Sequence, residues 1–183
     1  MPEIQKSVLF DIRTILSKLE VGAGQKTAEL GCGNFGFFVF PLARLVGREG
    51  RVYALDILKS TLEEINKEAR KKNLPQIIPI WSNLEIFKAA KIESSSLDSA
   101  LLVNVLHQSK QRIEILREAI RLLKRGGRLL IVEWTATDSP LGPKSDQRVS
   151  LGALKTAAPK LGMAIKEEFA AGPYHYGLIL NKL

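Results

Sequence analysis

The residues of this chain best placed to do chemistry are Glu29, Gly31, Gly33 and Gly36, in the stretch T-A-E-L-G-C-G-N-F-G-F-F from Thr27 to Phe38, and Asp56, twenty residues after Gly36. A short apolar run that passes into glycines and then into a helix-compatible segment is the pattern of a strand, a tight turn and a helix N-terminus. Glycine lets the backbone approach a ligand where a Cβ would block it, and the free N–H groups of a helix start point at that ligand. A carboxylate after the next strand accepts hydrogen bonds from both hydroxyls of a ribose. The chemistry implied is binding of a nucleoside or nucleotide. Gly31, Gly33 and Gly36 satisfy G-x-G-x-x-G, so a nicotinamide-dependent (NAD(P)) oxidoreductase is one reading. Glu29 opposes it: a carboxylate at the mouth of the turn repels a diphosphate and suits the ammonium of an amino-acid-bearing nucleoside.

The elements that must position these residues follow from periodicity. Pro2 to Leu19 carries apolar residues at three-and-four spacing (Ile4, Val8, Leu9, Ile12, Ile15, Leu16, Leu19), which predicts an amphipathic N-terminal helix within residues 1–20, ended by Gly22 and Gly24. After the first strand and glycine turn, helices are predicted at Phe37–Val46, Ser60–Lys72, Arg112–Lys124 and Leu151–Leu161. Ser60 or Thr61 is the expected cap of the second of these. Strands are predicted at Arg51–Leu55, Ile77–Trp81, Leu97–Val103, Arg128–Glu133, Met163–Phe169 and Tyr174–Leu180. Strands alternating with helices imply a parallel sheet covered on both faces, and the last two strands read as a hairpin around Gly172 and Pro173. The longest irregular stretch, 135–149, is the expected lid or substrate loop.

These features resemble the class I S-adenosylmethionine-dependent methyltransferases. Their first motif, acid-x-Gly-x-Gly-x-Gly, is matched by Glu29, Gly31 and Gly33; Phe35 stands where the third glycine is usual, and Gly36 follows one residue late. S-L-D-S-A-L-L-V-N-V-L-H (Ser96–His107) is similar to the fourth-strand motif, and L-R-E-A-I-R-L-L-K-R-G-G-R-L-L-I-V-E (Leu116–Glu133) to the helix-glycine-strand motif, with Arg125 in place of the usual proline. Small enzymes that methylate quinone precursors are the most similar branch, although this chain is shorter. The resemblance implies a Rossmann-like, doubly wound α/β fold: a mostly parallel seven-stranded sheet with a C-terminal antiparallel hairpin, in one domain spanning 1–183. It implies S-adenosyl-L-methionine as cofactor and methyl transfer to an oxygen, nitrogen or carbon nucleophile. Glu29 would hold the methionine ammonium, Asp56 the ribose, Ile57 and Asn83 the adenine, and Asn104 the amino acid part. Glu133 and Trp134, at the rim after the fifth strand, and Arg148, Tyr174 and His175, on lid and hairpin, would face the substrate.

His107, three residues beyond Asn104, is a candidate proton acceptor near neutral pH. No cluster of histidine, cysteine and acid at ligand spacing implies a metal. The 183 residues carry a net charge of +8, 45% hydrophobic residues and one cysteine, Cys32. Lys67, Arg70, Lys71 and Lys72, like Arg117, Arg121, Lys124 and Arg125, fall at helix C-termini, where cations meet the negative end of the dipole without any nucleic acid. A small-molecule acceptor is the expected partner, with RNA or protein acceptors and a homo-oligomer left open. The absence of a signal pattern and of an apolar run long enough to span a bilayer points to a cytoplasmic location. A methyltransferase-like fold that binds without turnover is the remaining alternative.

Overall fold

The computed structural model of the chain describes residues 9–137, 139 and 141–183. The elements, in order, are α1 (Ile12–Leu19), β1 (Lys26–Leu30), α2 (Val39–Val46), β2 (Arg51–Asp56), α3 (Lys59–Lys71), β3 (Ile77–Trp81), β4 (Leu97–Val103), α4 (Arg112–Leu122), β5 (Leu123–Trp134), α5 (Leu151–Lys160), β6 (Met163–Gly172) and β7 (His175–Lys182). Short 3₁₀ turns lie at Leu106–Gln108 and Ser145–Gln147. The strands form one seven-stranded sheet in the order β3-β2-β1-β4-β5-β7-β6. β1 to β5 are parallel to their neighbours, and β7 is inserted antiparallel between β5 and β6. The C-terminal hairpin expected from sequence is therefore present, in the place where a dinucleotide fold would add a parallel strand.

Side chains alternate between the two faces, as the strand period requires. Leu129 and Ile131 of β5 pack with α4 and α5, whereas Leu130 and Val132 pack with α1, α2 and α3. Two apolar layers thus hold the sheet from both sides, and the strand ends are left to present polar groups at one edge.

Several boundaries differ from the expectation, and three of them have an identifiable cause. The N-terminal helix begins only at Ile12, because Asp11 caps it by accepting from the N–H groups of Arg13 and Thr14; residues 1–8 of the predicted helix lie outside the described residues. The helix expected from Ser60 starts at Lys59 without a Ser or Thr cap: Asp56 Oδ1 accepts from Leu58 N–H at 2.9 Å, and Thr61 instead bonds Asn34. The helix expected to run to Lys124 stops at Leu122, and β5 begins at once. Lys182, from β7, donates to the carbonyls of Ile120 and Leu123 at 2.8 and 2.7 Å, so the helix end is satisfied before the glycines are reached.

Candidate functional site

The loops after β1, β2, β3 and β4 surround a cleft of about 440 Å³ at the carboxyl edge of the sheet, whose walls include Gly31, Gly33, Asn34, Asp56, Ile57 and Asn83. The glycine turn is built by its neighbours. Gly31 and Cys32 both donate their N–H to the Leu55 carbonyl at 2.9 Å, which ties the turn to the end of β2. Gly31 (φ 82°), Gly33 (φ 60°) and Gly36 (φ 56°) all adopt left-handed backbone. Their duties differ. A Cβ on Gly31 would lie 2.6 Å from Val105 Cγ2, and one on Gly36 would lie 2.7 Å from both Ile65 and Phe40, whereas one on Gly33 would meet nothing within 4 Å. Gly31 and Gly36 serve packing; Gly33 leaves a corner of the cleft open. Phe35, in the place of the third glycine of the motif, is 71% exposed.

Asp56 closes this corner. Its Oδ2 accepts from Gly33 N–H at 3.0 Å and its Oδ1 from Leu58 N–H at 2.9 Å, so one carboxylate holds the glycine turn and starts α3. Each oxygen keeps a further lone pair for a ligand. Ile57, 54% exposed, presents an apolar side chain to the same space, and its carbonyl accepts from the Trp81 indole at 2.8 Å. Asn83 lines the opposite wall, with Oδ1 accepting from Glu85 N–H at 3.0 Å.

Glu29 lies beneath the turn rather than on the wall, 3% exposed. Burial drives its carboxyl well above the usual range and the Asp56 charge adds to this, against hydrogen bonds from the N–H groups of Val39 and Phe38 at the start of α2. Its Oε2 has no partner among the described residues. Cys32 is buried beside it, and burial, with Glu29 and Asp56, pushes the thiol far upward. That thiol is inert.

A second polar group sits where β4, β5 and β7 end. Asn104 (φ 57°) bonds His175 Nε2 through Oδ1 at 3.1 Å, and its carbonyl accepts from Gln108 at 2.6 Å. His175 is buried between the rings of Trp134 and Phe10, with centroids at 4.1 and 5.4 Å, and burial lowers its pKa. Trp134 is itself 5% exposed. Arg148 donates to the carbonyls of Pro143 (3.1 Å), Thr135 (2.9 Å) and Thr137, and Thr135 donates to the Tyr174 carbonyl at 2.9 Å. Arg148 thus ties the 135–149 loop to itself, and the backbone of Thr135 ties that loop to the hairpin. His107 is paired with Glu133, Nδ1 to Oε2, at 2.9 Å. The structure therefore gathers Gly31, Gly33, Asp56, Ile57 and Asn83 around one cleft. Asn104, His107, Trp134, Arg148, Tyr174 and His175 lie in the adjoining cluster, linked to the cleft through Val105 and Gln108.

Residues 22–167 match the sequence family described as methyltransferase domain. The chain belongs to that family. This methyltransferase domain is 32% identical over 145 residues to a ubiquinone/menaquinone biosynthesis C-methyltransferase of Rhizobium etli, an alignment covering 79% of this chain and 53% of that protein. The chain spans about half the length of the curated relatives it matches. In fold it is similar to an S-adenosylmethionine-dependent methyltransferase from Aquifex aeolicus, with a TM-score of 0.85 and 19% identity over 96% of this chain and 91% of that one. It is also similar to an O-methyltransferase of neocarzinostatin biosynthesis solved with S-adenosylhomocysteine and 1,4-dihydroxy-2-naphthoic acid, with a TM-score of 0.75 and 19% identity over 94% of this chain and 54% of that one.

The cofactor of this methyltransferase class is S-adenosylmethionine, and the residues present fit it. The corner over Gly33 is free of any Cβ contact, Asp56 holds spare acceptor capacity beside it, and a buried carboxylate oxygen of Glu29 stands unpaired below. No residue gathered there would repel the ammonium or the ribose. Sequence reasoning missed the clamp by which Asp56 holds Gly33 and the contact of Thr61 with Asn34, at 2.5 Å, on the same wall. Both depend on loops that meet only when the sheet forms.

Proposed function

We propose that this methyltransferase domain binds S-adenosylmethionine in the cleft over Gly33 and moves its methyl group to an oxygen, nitrogen or carbon nucleophile of a small molecule. The observation that carries the reading is the pairing of Asp56 with the open, left-handed Gly33 between the ends of β1 and β2. When bound, the cofactor supplies a methyl carbon on a sulfonium, which the nucleophile displaces in line while sulfur keeps the electron pair. Asp56 accepts from the ribose hydroxyls with its free lone pairs, and Ile57 packs against the adenine. Asn83 turns its amide to the base edge, Glu29 offers its unpaired Oε2 as a hydrogen-bond acceptor for the ammonium from below the turn, and Asn104 borders the amino acid part. The protein's remaining task is to align the nucleophile and exclude water.

An aromatic acceptor of the quinone-precursor kind agrees with the relatives named above, and Trp134, Tyr174, His175 and Arg148 shape its side of the cleft through the loop they hold. The expected setting is the cytoplasm; among the described residues no helix is long and apolar enough to cross a membrane. Calorimetry tests the reading. S-adenosylhomocysteine should bind the wild type with micromolar affinity and lose that affinity in Asp56→Ala, with NADH as the control. Tighter binding of NADH, or none of either compound, returns the site to the dinucleotide or non-binding alternatives.

A further inference from the structure

The cofactor cleft holds no histidine on its walls, whereas the neighbouring cluster holds both histidines of the chain, His107 and His175, around Glu133. Glu133 is near the end of β5 and has no exposed surface. Its Oε1 accepts from Leu106 N–H at 2.6 Å and from His107 N–H at 3.3 Å, while its Oε2 is 2.9 Å from His107 Nδ1. Capping the turn after β4 accounts for Oε1 alone. The second oxygen is committed to the imidazole, and a carboxylate only accepts, so the shared hydrogen belongs to Nδ1. A neutral His107 then keeps Nε2 bare. The ring is 14% exposed, and no partner for Nε2 occurs among the described residues.

We propose that Glu133 is a positioning residue that fixes His107 as the base for an acceptor whose X–H proton must leave, a phenol or enol-type hydroxyl being the chemistry that fits. This rests on the methyltransferase reading above. As the acceptor's electron pair forms its new bond to carbon, the X–H bond breaks, the proton goes to Nε2, and the imidazolium charge lies against the Glu133 carboxylate. Water takes the proton when product leaves. An acceptor with no proton to lose would need neither residue. The other titratable or charged groups of the cluster are His175 and Tyr176 of β7, Arg112 of α4 and Arg148 of the loop. His175 is held by Asn104 and buried between rings, so it does not share the role.

Two histidines make the test direct. In the full chain labelled with ¹⁵N-histidine, assigned with His107→Asn, the wild type at alkaline pH should show His107 protonated at Nδ1 and bare at Nε2. Glu133→Gln keeps an acceptor for the two backbone N–H groups but offers an amide donor to Nδ1, so the tautomer should reverse. With 1,4-dihydroxy-2-naphthoic acid as the acceptor probe, kcat should fall about a hundredfold in Glu133→Gln and in His107→Asn, while S-adenosylhomocysteine affinity stays within about twofold. An Nε2-protonated wild type, or either variant working at the wild-type rate, overturns the proposal. Should Glu133→Gln not fold, His107→Asn decides, because it leaves the Oε1 bonds intact. Failure of the cofactor reading shows separately, as loss of S-adenosylhomocysteine binding by the wild type.

Discussion

Gly33→Ala separates a ligand-binding role of the glycine turn from a merely architectural one. Gly33 has φ 60°, and a Cβ there meets no protein atom within 4 Å. The cost to folding is therefore that of a left-handed non-glycine residue alone, about 1–2 kcal/mol. At roughly 2–4 °C per kcal/mol for a domain of this size, Tm should fall by about 2–8 °C. The new methyl would project into the cleft beside the N–H that Asp56 accepts from, so S-adenosylhomocysteine affinity should fall at least about tenfold, or ~1.4 kcal/mol. Gly126 supplies the control: it has φ 77° and the same empty surroundings, but lies near the start of β5, away from the cleft. Gly126→Ala should lower Tm by a similar amount and leave affinity unchanged. Thermal unfolding and calorimetry on the two variants read both quantities. Equal affinity for S-adenosylhomocysteine in Gly33→Ala and Gly126→Ala would refute the placement of the cofactor over Gly33.

Other outcomes follow from buried charge. Glu29 is raised well above its ordinary value of 4.5, so above that pH the unfolded chain ionises first and the fold loses stability until pH passes the folded pKa. Glu29→Gln should abolish that decline, leaving the two proteins closest at acid pH in denaturant titrations. His175 is lowered from 6.5, so its contribution runs oppositely: the unfolded chain binds the extra proton, and stability falls as pH drops below 6.5. His175→Gln should flatten this limb of the stability profile, whatever its effect at neutral pH. Glu118, fully buried, accepts from the N–H groups of Lys88 and Ala90 and pairs with Arg121 at 2.8 Å. Glu118→Ala strands the N–H groups of Lys88 and Ala90 and the Nε of Arg121, and should cost about 3–5 kcal/mol in denaturant unfolding.

Most of the sheet was legible because its strands are apolar runs with turn residues at their ends, and β3 and β4 occupy the predicted spans Ile77–Trp81 and Leu97–Val103. The errors fall where a distant residue supplies what the local sequence lacks. The predicted helix ran through residues 9–11, which are not helical, although an aspartate before Ile12 is itself a start signal. The helix predicted to Lys124 is followed by the stop signal Gly126-Gly127, but Lys182 ends it earlier from a strand fifty-eight residues beyond Lys124. The segment from Ser82 to Ser96 has no period because its order comes from α4: Arg121 donates to the carbonyls of Ala90 and Ile92 and to Ser94 Oγ, while Glu118 takes the facing N–H groups.

The site divides along the same line. Glu29, Gly31 and Gly33 stand together on one strand-turn unit, and Asp56 ends the next strand; although Asp56 is 27 residues from Glu29, glycine turn and strand-end acid form a recurring motif that can name them. Arg148 and Trp134 look like substrate groups in sequence because a cation and an indole after a strand end are unexplained there. In the fold both are consumed, the first by three loop carbonyls and the second by His175 and the tight approach of Gly142. The His107–Glu133 pair is the reverse case. Its members are separated by an entire helix and strand, 26 residues, and each alone has a dull explanation, a helix-opening histidine and a strand-end acid. Only the parallel pairing of β4 with β5, which sets Val103 beside Val132, brings the residues beyond them within reach of each other. Acceptor chemistry in such a sheet is therefore written across strand ends, where sequence spacing carries little of it.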